Sequence, residues 1–364
     1  MDRRKFAVTA GVGAAGAVMG APAIAQQNPS VKWRWVSSFP KTLPSSYPAV
    51  QAFARRVGEL TDGKFQIQLY GPGEIVAPLA VLDAVQSGAV EAGLTATYFY
   101  YGKDPTFAFG TAIPFGLNTR QHQAWIYTGG GLELINQFHA GYGVHYVPMG
   151  LTGAQMGGWY RKEIKTVKDL DGMKMRISGM GGQILQRLGV TPQQLPASDV
   201  YASLERGVID AVEYTTPVDD EALGLHKVAK YYYYPGWWEG SVQIGHFINQ
   251  QKWAELPERY KVAVQAVARE QEQVIVNYFD AKNAAALRRL IALGVEVKAF
   301  PREVMSAGYK ATFEHLDELA AKNANFKKVL DHYMAFRADA LLWFRVAESS
   351  YDNFVQAESV RVKR

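Results

Sequence analysis

Hydrophobic and polar positions change period several times along the chain, and each change marks an element. Trp33 and Trp35 alternate with polar neighbours over 33–38, which predicts a strand. Over 45–60, Val50, Phe53, Val57 and Leu60 recur at helical spacing, and Thr61-Asp62-Gly63 stops the run. Residues 65–70 alternate again as a second strand, and Gly71-Pro72-Gly73 turns the chain. Leu79, Leu82 and Val85 share one face of a short helix over 79–87, and 90–95 reads as a third strand. Strand, helix, strand, helix, strand is the pattern of a largely parallel sheet with helices on its faces.

The alternation restarts near residue 144. Strands are predicted over 144–149, 157–161, 173–177 and 208–213, with helices over 182–188 and 199–206. A long helix follows over 260–291, with Asn283 or Gly294 as candidate breaks, then a strand over 295–300. Helices close the chain over 303–321, 325–345 and onward to 360. The 364 residues exceed what one hydrophobic core holds. The fold class is therefore α/β in two lobes, with interlobe crossovers and a long helical C-terminal extension.

Composition narrows the function. Hydrophobic residues are 48% and charged residues 20%, an ordinary globular balance. Cysteine is absent, which excludes thiol catalysis and thiolate metal sites. The net charge is +5, and +3 without Asp2, Arg3, Arg4 and Lys5; with basic residues scattered, no nucleic-acid partner is expected. Arg3-Arg4-Lys5, the weakly apolar run 6–21 and Ala23-Ile24-Ala25 read as an export signal cleaved after Ala25. The paired arginines resemble a twin-arginine signal, but Asp2 stands where Ser or Thr is usual, so a Sec route stays open. No later apolar run reaches the roughly 18 residues that span a bilayer. The expected location is the periplasm.

No G-x-S-x-G, H-E-x-x-H or Walker motif occurs, no G-x-G-x-x-G opens a helix after a strand, and the seven histidines show no metal-ligand spacing. Gly129-Gly130-Gly131 reads as a loop or helix start rather than a phosphate cradle. Nothing nominates an enzyme; an extracellular enzyme on small acids would need a base or nucleophile that the motifs do not supply. What remains is a set of polar groups among aromatics. Arg176 ends the strand-like Met173–Ile177 run, where its planar fork suits a carboxylate; the alternative is an edge residue paired to an internal acid. Glu213 ends the 208–213 run, and Glu239 closes Tyr231-Tyr232-Tyr233-Tyr234-Pro235-Gly236-Trp237-Trp238. That aromatic run either walls a small dry pocket or packs between the lobes. Gln155 adds an amide oxygen among small residues. Such oxygen donors suit Na⁺ or Ca²⁺, not Zn²⁺.

Asp169-Leu170-Asp171-Gly172-Met173-Lys174-Met175-Arg176 resembles the signature strand of the extracytoplasmic receptors of tripartite ATP-independent periplasmic (TRAP) transporters, the DctP family. Residues 198–211, from Ser198 to Ala211, are equally similar to that family. The resemblance implies a periplasmic binding-protein fold in two lobes, 26–151 plus 240–282 and 152–239 plus 283–325, with an extension over 326–364. It also implies that Arg176 grips the substrate carboxylate. Gln155, Glu213, the tetra-tyrosine run and Pro235–Glu239 are similar to the branch that binds 2-oxo or 2-hydroxy monocarboxylates such as pyruvate and lactate. That likeness implies a metal held by the side chains of Gln155, Glu213 and Glu239 and by the backbone carbonyl of Tyr214. Relatives often carry Trp in place of Tyr214, and Thr215-Thr216-Pro217-Val218 departs from their pattern. A different carboxylate, such as a dicarboxylate, sugar acid or longer 2-oxoacid, stays open as the ligand. Tyr98, Tyr100 and Tyr101 are expected either to close the pocket from the first lobe or to pack the interface. The implied partners are the membrane permease and, through the C-terminal helix, a second copy of the chain.

Overall fold

The computed structural model describes residues 28–361. The predicted export signal and its cleavage point after Ala25 lie outside the described residues. The strands are β1 Val31–Ser37, β2 Phe65–Tyr70, β3 Ala92–Thr95, β4 Val144–Leu151, β5 Gly158–Tyr160, β6 Lys174–Arg176, β7 Thr191–Gln193, β8 Ala211–Val212, β9 Tyr231–Tyr234, β10 Gln243–Asn249 and β11 Glu296–Ala299. The helices are α1 Tyr47–Leu60, α2 Val81–Gln86, α3 Thr119–Tyr127, α4 Gly131–Ala140, α5 Gly179–Arg187, α6 Ala197–Glu205, α7 Pro217–Ala222, α8 Gln250–Glu255, α9 Glu258–Ala292, α10 Arg302–Lys322, α11 Ala324–Val346 and α12 Glu348–Arg361.

The strands form two sheets, one per lobe. The first has the order β2-β1-β3-β10-β4 and the second β11-β9-β5-β8-β6-β7. In the first, β1 pairs in parallel with β2 and β3, while β10 runs antiparallel between β3 and β4. In the second, β8, β6 and β7 are parallel and β5 is the antiparallel strand between β8 and β9. Trp35, Phe53, Val57, Phe65 and Val264 are buried together in the first lobe, where α1 and α9 cover the sheet. Trp159, Val200, Leu204 and Tyr232 do the same in the second. Each such side chain contributes about 1.5–3 kcal/mol on burial.

Up to β11 the chain passes between the lobes three times. The β4–β5 segment carries it from the first sheet to the second, and the β9–β10 segment brings it back. Helix α9 then packs against α1 and β4 of the first lobe and leads to β11 of the second sheet. The first two crossings are tied together: Gln155 N–H donates to Glu239 O at 3.1 Å, and Gly236 N–H to Gln155 O at 2.9 Å.

Several expectations change. The strand expected over 208–213 shrinks to Ala211–Val212, because Val208 and Ile209 N–H bond back to Ser203 O and continue the turn after α6. Helix α9 is unbroken for 35 residues; Asn283 lies inside it and caps α7 by accepting from Val218 N–H at 3.2 Å. Gly294, at φ +88°, follows its end, where a left-handed residue stops a helix. The tetra-tyrosine run is β9, and Tyr232, Tyr233 and Trp238 are buried in the second lobe, while Trp237 packs between the lobes on Phe115: Tyr232 stacks on Trp159 at 4.0 Å, Tyr233 on Phe300 at 5.0 Å and Trp237 on Phe115 at 5.0 Å. The aromatic run therefore supports the site from behind and does not wall a pocket. Helices α3 and α4 occupy a stretch in which the sequence reading assigned no element, although Asn118 and Gln121 form a capping box at the start of α3. Gly131 opens α4, so the glycine run is a helix start.

The C-terminal extension is helical. Phe326, Val329, Leu330 and Tyr333 of α11 are buried against the first lobe, and the Tyr333 hydroxyl accepts from Leu117 N–H at 2.7 Å. Beyond them, Leu342, Trp343, Val346, Tyr351 and Phe354 are each at least 60% exposed.

A Cβ at Gly236 would stand 2.5 Å from Met156 O and 2.9 Å from Gln155 O, both backbone atoms of the facing crossing. Gly236→Ala is therefore expected to destabilise the protein by about 1–3 kcal/mol, the usual cost of overpacking. Denaturant melts of parent and variant check this; coincident curves would contradict it.

Candidate functional site

The site begins at the ends of two paired strands. β6 and β8 are parallel with Arg176 opposite Val212, so Arg176 and Glu213 leave the second sheet side by side. The crevice at the carboxyl ends of parallel strands is where ligands bind in open α/β sheets. Glu213 N–H donates to Arg176 O at 3.0 Å, which fixes their offset. The two lobe crossings supply Gln155 and Glu239, and the first lobe supplies Tyr98 from a 3₁₀ turn over Thr97–Tyr100.

Arg176 is 3% exposed. Its Nε donates to Leu195 O at 3.2 Å, and its Nη1 donates to Glu213 O and lies 3.4 Å from Glu213 Oε2. The guanidinium carbon stands 5.2 Å from the centre of the Tyr214 ring. Nη2 makes no hydrogen bond to any described residue. The arginine is thus held by its own lobe with one edge of its fork left over.

Glu213 is 0% and Glu239 2% exposed. Burial pushes Glu213 up to about 7, against the pull of Arg176. Burial, followed by the charge of Glu213, holds Glu239 well above the usual carboxylate range. Burial, then the charges of Glu239 and Glu213, pushes the Tyr98 hydroxyl well above its usual range, so the first lobe comes close to the acid pair.

Gln155 joins these groups. One terminal atom of its amide lies 2.8 Å from Glu239 Oε2, 2.9 Å from Glu213 Oε1 and 3.2 Å from the Tyr214 carbonyl oxygen; the other faces the Thr152 hydroxyl at 3.2 Å. With nitrogen in the first position, two N–H groups meet three acceptors. With oxygen there, four oxygens converge, an arrangement that repels itself unless a cation lies among them. Two carboxylates, an amide oxygen and a backbone carbonyl are the hard donors that suit Na⁺ or Ca²⁺. Among the described residues no group of three or more His, Cys, Asp or Glu gathers as a metal set. The candidate ion position is this mixed quartet, beside the guanidinium.

Between the lobes lies a cavity with about 700 Å³ of space outside the protein atoms, its mouth included. Arg176, Gln155, Tyr98 and Tyr214 line it, with Glu213 and Glu239 directly behind them, and most of the remaining wall is apolar. A mostly apolar pocket with a few convergent polar groups is the usual form of a small-molecule site.

Of the three tyrosines expected at the pocket, only Tyr98 reaches it. Tyr100 turns into the first lobe, where its hydroxyl accepts from Leu82 N–H and meets Thr95 Oγ1, both at 3.1 Å. Tyr101 points to α10 and meets His315 Nε2 at 2.7 Å. The 3₁₀ turn, at about 120° per residue, rotates Tyr100 away from Tyr98, and Tyr101 lies just past its end. The sequence reading missed Thr152, Ser45 and the pair Asp219-Asp220. Asp219 and Asp220 follow Pro217 and read as ordinary acids of a helix first turn, yet they are 1% and 0% exposed. Asp220 accepts from Trp159 Nε1 at 3.0 Å, Tyr232 hydroxyl at 2.7 Å and Thr215 N–H at 3.1 Å.

Residues 37–323 match the model of the bacterial extracellular solute-binding proteins, family 7 (DctP). The chain belongs to this family. The family 7 protein is 46% identical over 329 residues to the monocarboxylate 2-oxoacid-binding periplasmic protein of a Nostoc species, covering 90% of each chain. It is similar to a TRAP transporter solute-binding protein of Bordetella bronchiseptica, at 46% identity and a TM-score of 0.91 over 92% of this chain and 100% of that one. That protein was solved as a mixed-occupancy dimer, with copurified calcium and picolinate in a bound active site beside an apo site. A TRAP periplasmic solute-binding protein of Pseudoalteromonas atlantica, 34% identical, matches at a TM-score of 0.86 over 89% of this chain and 99% of its own, and holds sodium and pyruvate. The family 7 chain is a TRAP solute-binding receptor and not an enzyme.

Burial pushes Asp219 up to about 7 from 3.8, with Asp220's charge adding to it and bonds from Ser45 opposing it. A carboxyl that holds its proton more tightly when folded contributes its stability below the unfolded value and loses it as pH climbs through the folded one. Asp219→Asn cannot ionise. Without ligand, its melting temperature relative to the parent is expected to rise between about pH 5 and about pH 8. A constant offset across that range would refute the assignment.

Proposed function

We propose that this receptor captures a small 2-oxo or 2-hydroxy monocarboxylate, pyruvate- or lactate-like, together with one Na⁺ or Ca²⁺. We further propose that it acts in the periplasm and delivers the ligand to the membrane permease of a TRAP system. The support is one arrangement: a buried guanidinium with a spare Nη2 stands beside a glutamine amide on which two carboxylates and a backbone carbonyl converge, in a cavity between two lobes. The relatives named above bind 2-oxoacids or a cation with a small carboxylate.

Arg176 pairs with the ligand carboxylate through Nη2, while Nε and Nη1 keep the fork oriented. Gln155 Oε1, Glu213, Glu239 and the Tyr214 carbonyl hold the cation. When bound, the cation supplies positive charge to a carboxylate oxygen and the adjacent 2-oxo or 2-hydroxyl oxygen of the ligand. Two buried acids then face one arginine and one cation, which limits the cost of taking charges out of water. Tyr98 brings the first lobe close to Glu239, so closing the lobes excludes water and strengthens each polar contact.

Arg176→Ala is expected to abolish stabilisation by pyruvate or lactate, which at a hundredfold excess over the dissociation constant is about 2.7 kcal/mol. Glu239→Gln is expected to weaken binding and remove its sensitivity to chelators. Thermal-shift titrations of parent and variants, with and without chelator, measure both. Undiminished stabilisation of Arg176→Ala would sink the proposed role of the arginine.

The exposed side chains of α11 and α12 favour a homodimer in which a second copy covers them. Contiguous apolar surface of this kind marks an interaction site. Trp343→Glu with Phe354→Glu is expected to halve the mass measured by light scattering; a parent that is already monomeric would remove this proposal.

A further inference from the structure

Asp219 and Asp220 are adjacent buried acids with opposite hydrogen-bonding fates. Asp220 is enclosed by donors from Trp159, Tyr232 and Thr215 and is fully used inside the lobe. Asp219 is not. Its Oδ2 accepts from Ser45 Oγ at 2.6 Å, but its Oδ1 is buried without a partner among the described residues. Ser45 belongs to the first lobe, between β1 and α1, whereas α7 follows β8 of the second sheet. The bond between them therefore crosses the gap between the lobes.

Both residues line the cavity that Arg176 and Gln155 line, and Ser46 adds a hydroxyl beside them. Around this corner the wall is apolar, formed by Phe39, Leu43, Phe99 and Leu195. A buried acceptor without a donor costs about 1–3 kcal/mol. A single polar group placed in an apolar wall orients a ligand and discriminates against analogues that cannot complete its bonding.

We propose that Asp219 is a specificity-determining residue that takes a hydroxyl group carried by the ligand beyond C2. Among the 2-oxo and 2-hydroxy monocarboxylates, those bearing a further hydroxyl are then bound more tightly than the unsubstituted acids. This rests on the placement of the carboxylate at Arg176 proposed above. Ser45 holds Oδ2, and this bond across the lobes fixes the orientation of the unpartnered oxygen.

Titration calorimetry in Ca²⁺ with straight-chain 2-oxo acids of three, four and five carbons, each with and without a terminal hydroxyl, tests the idea on the full chain. At one chain length at least, the hydroxylated acid is expected to bind tenfold tighter or more than its parent. That ratio is expected to collapse toward unity in Asp219→Ala, or in Asp219→Leu if the alanine variant folds poorly. Equal affinities within every pair for the unaltered protein, or a ratio unchanged in the variant, would overturn the role of Asp219. If neither member of any pair binds, the monocarboxylate reading itself fails, and the two failures are told apart.

Discussion

Two carboxyl groups and a guanidinium share a dry space where the lobes meet, and much of the molecule is arranged around that fact. Glu213, Glu239 and Arg176 are each at most 3% exposed. One arginine cannot balance two acids, so burial lifts both glutamates toward their neutral forms. The imbalance is useful in a receptor. A site that is costly when bare becomes favourable when a cation and an anionic ligand enter together, and binding is then coupled to charge compensation.

The positions of these groups tie the site to both lobes. Gln155 and Glu239 lie on the two crossings that join the sheets, and those crossings hydrogen-bond to each other. Arg176 and Glu213 sit on adjacent strand ends of the second lobe, while Tyr98 and Ser45 approach from the first. A ligand held at the hinge is sensed by both lobes at once. Behind the site, Trp159 stacked on Tyr232 and Tyr233 stacked on Phe300 give the second lobe a rigid aromatic floor. Gly179, at φ +64°, lets the Tyr98 ring lie against the start of α5; a Cβ there would stand 2.4 Å from that ring.

Legibility in the sequence followed the range of the interactions. The alternation over 65–70 and the apolar positions of α1 are local signals, and they reappear as β2 and α1 with nearly the same limits. Elsewhere the local signal was ambiguous. Val208 and Ile209 look like strand residues but serve the turn after α6, and the aromatic run, open between a pocket wall and packing between the lobes, begins as the core strand β9. The Asp219-Asp220 pair carries no local mark that it is buried. Its burial depends on Trp159, Tyr232 and Ser45, which lie far away along the chain.

The residue types and their motif context, read alone, were enough to nominate Arg176, Gln155, Glu213 and Glu239, because strand ends and oxygen donors are written in short segments. Sequence was likewise enough to predict an α/β fold in two lobes, since the switching of hydrophobic period is local. Only the tertiary structure brought oxygens of Glu213, Tyr214 and Glu239 within 3.2 Å of one terminal atom of the Gln155 amide, from three separate segments. It alone selected Tyr98 over Tyr100 and Tyr101, whose hydroxyls bond to Leu82 and Thr95 and to His315. The partnerships of Asp219 and Asp220 also emerged only there, since hydrogen bonds between distant segments exist once the lobes have folded and met.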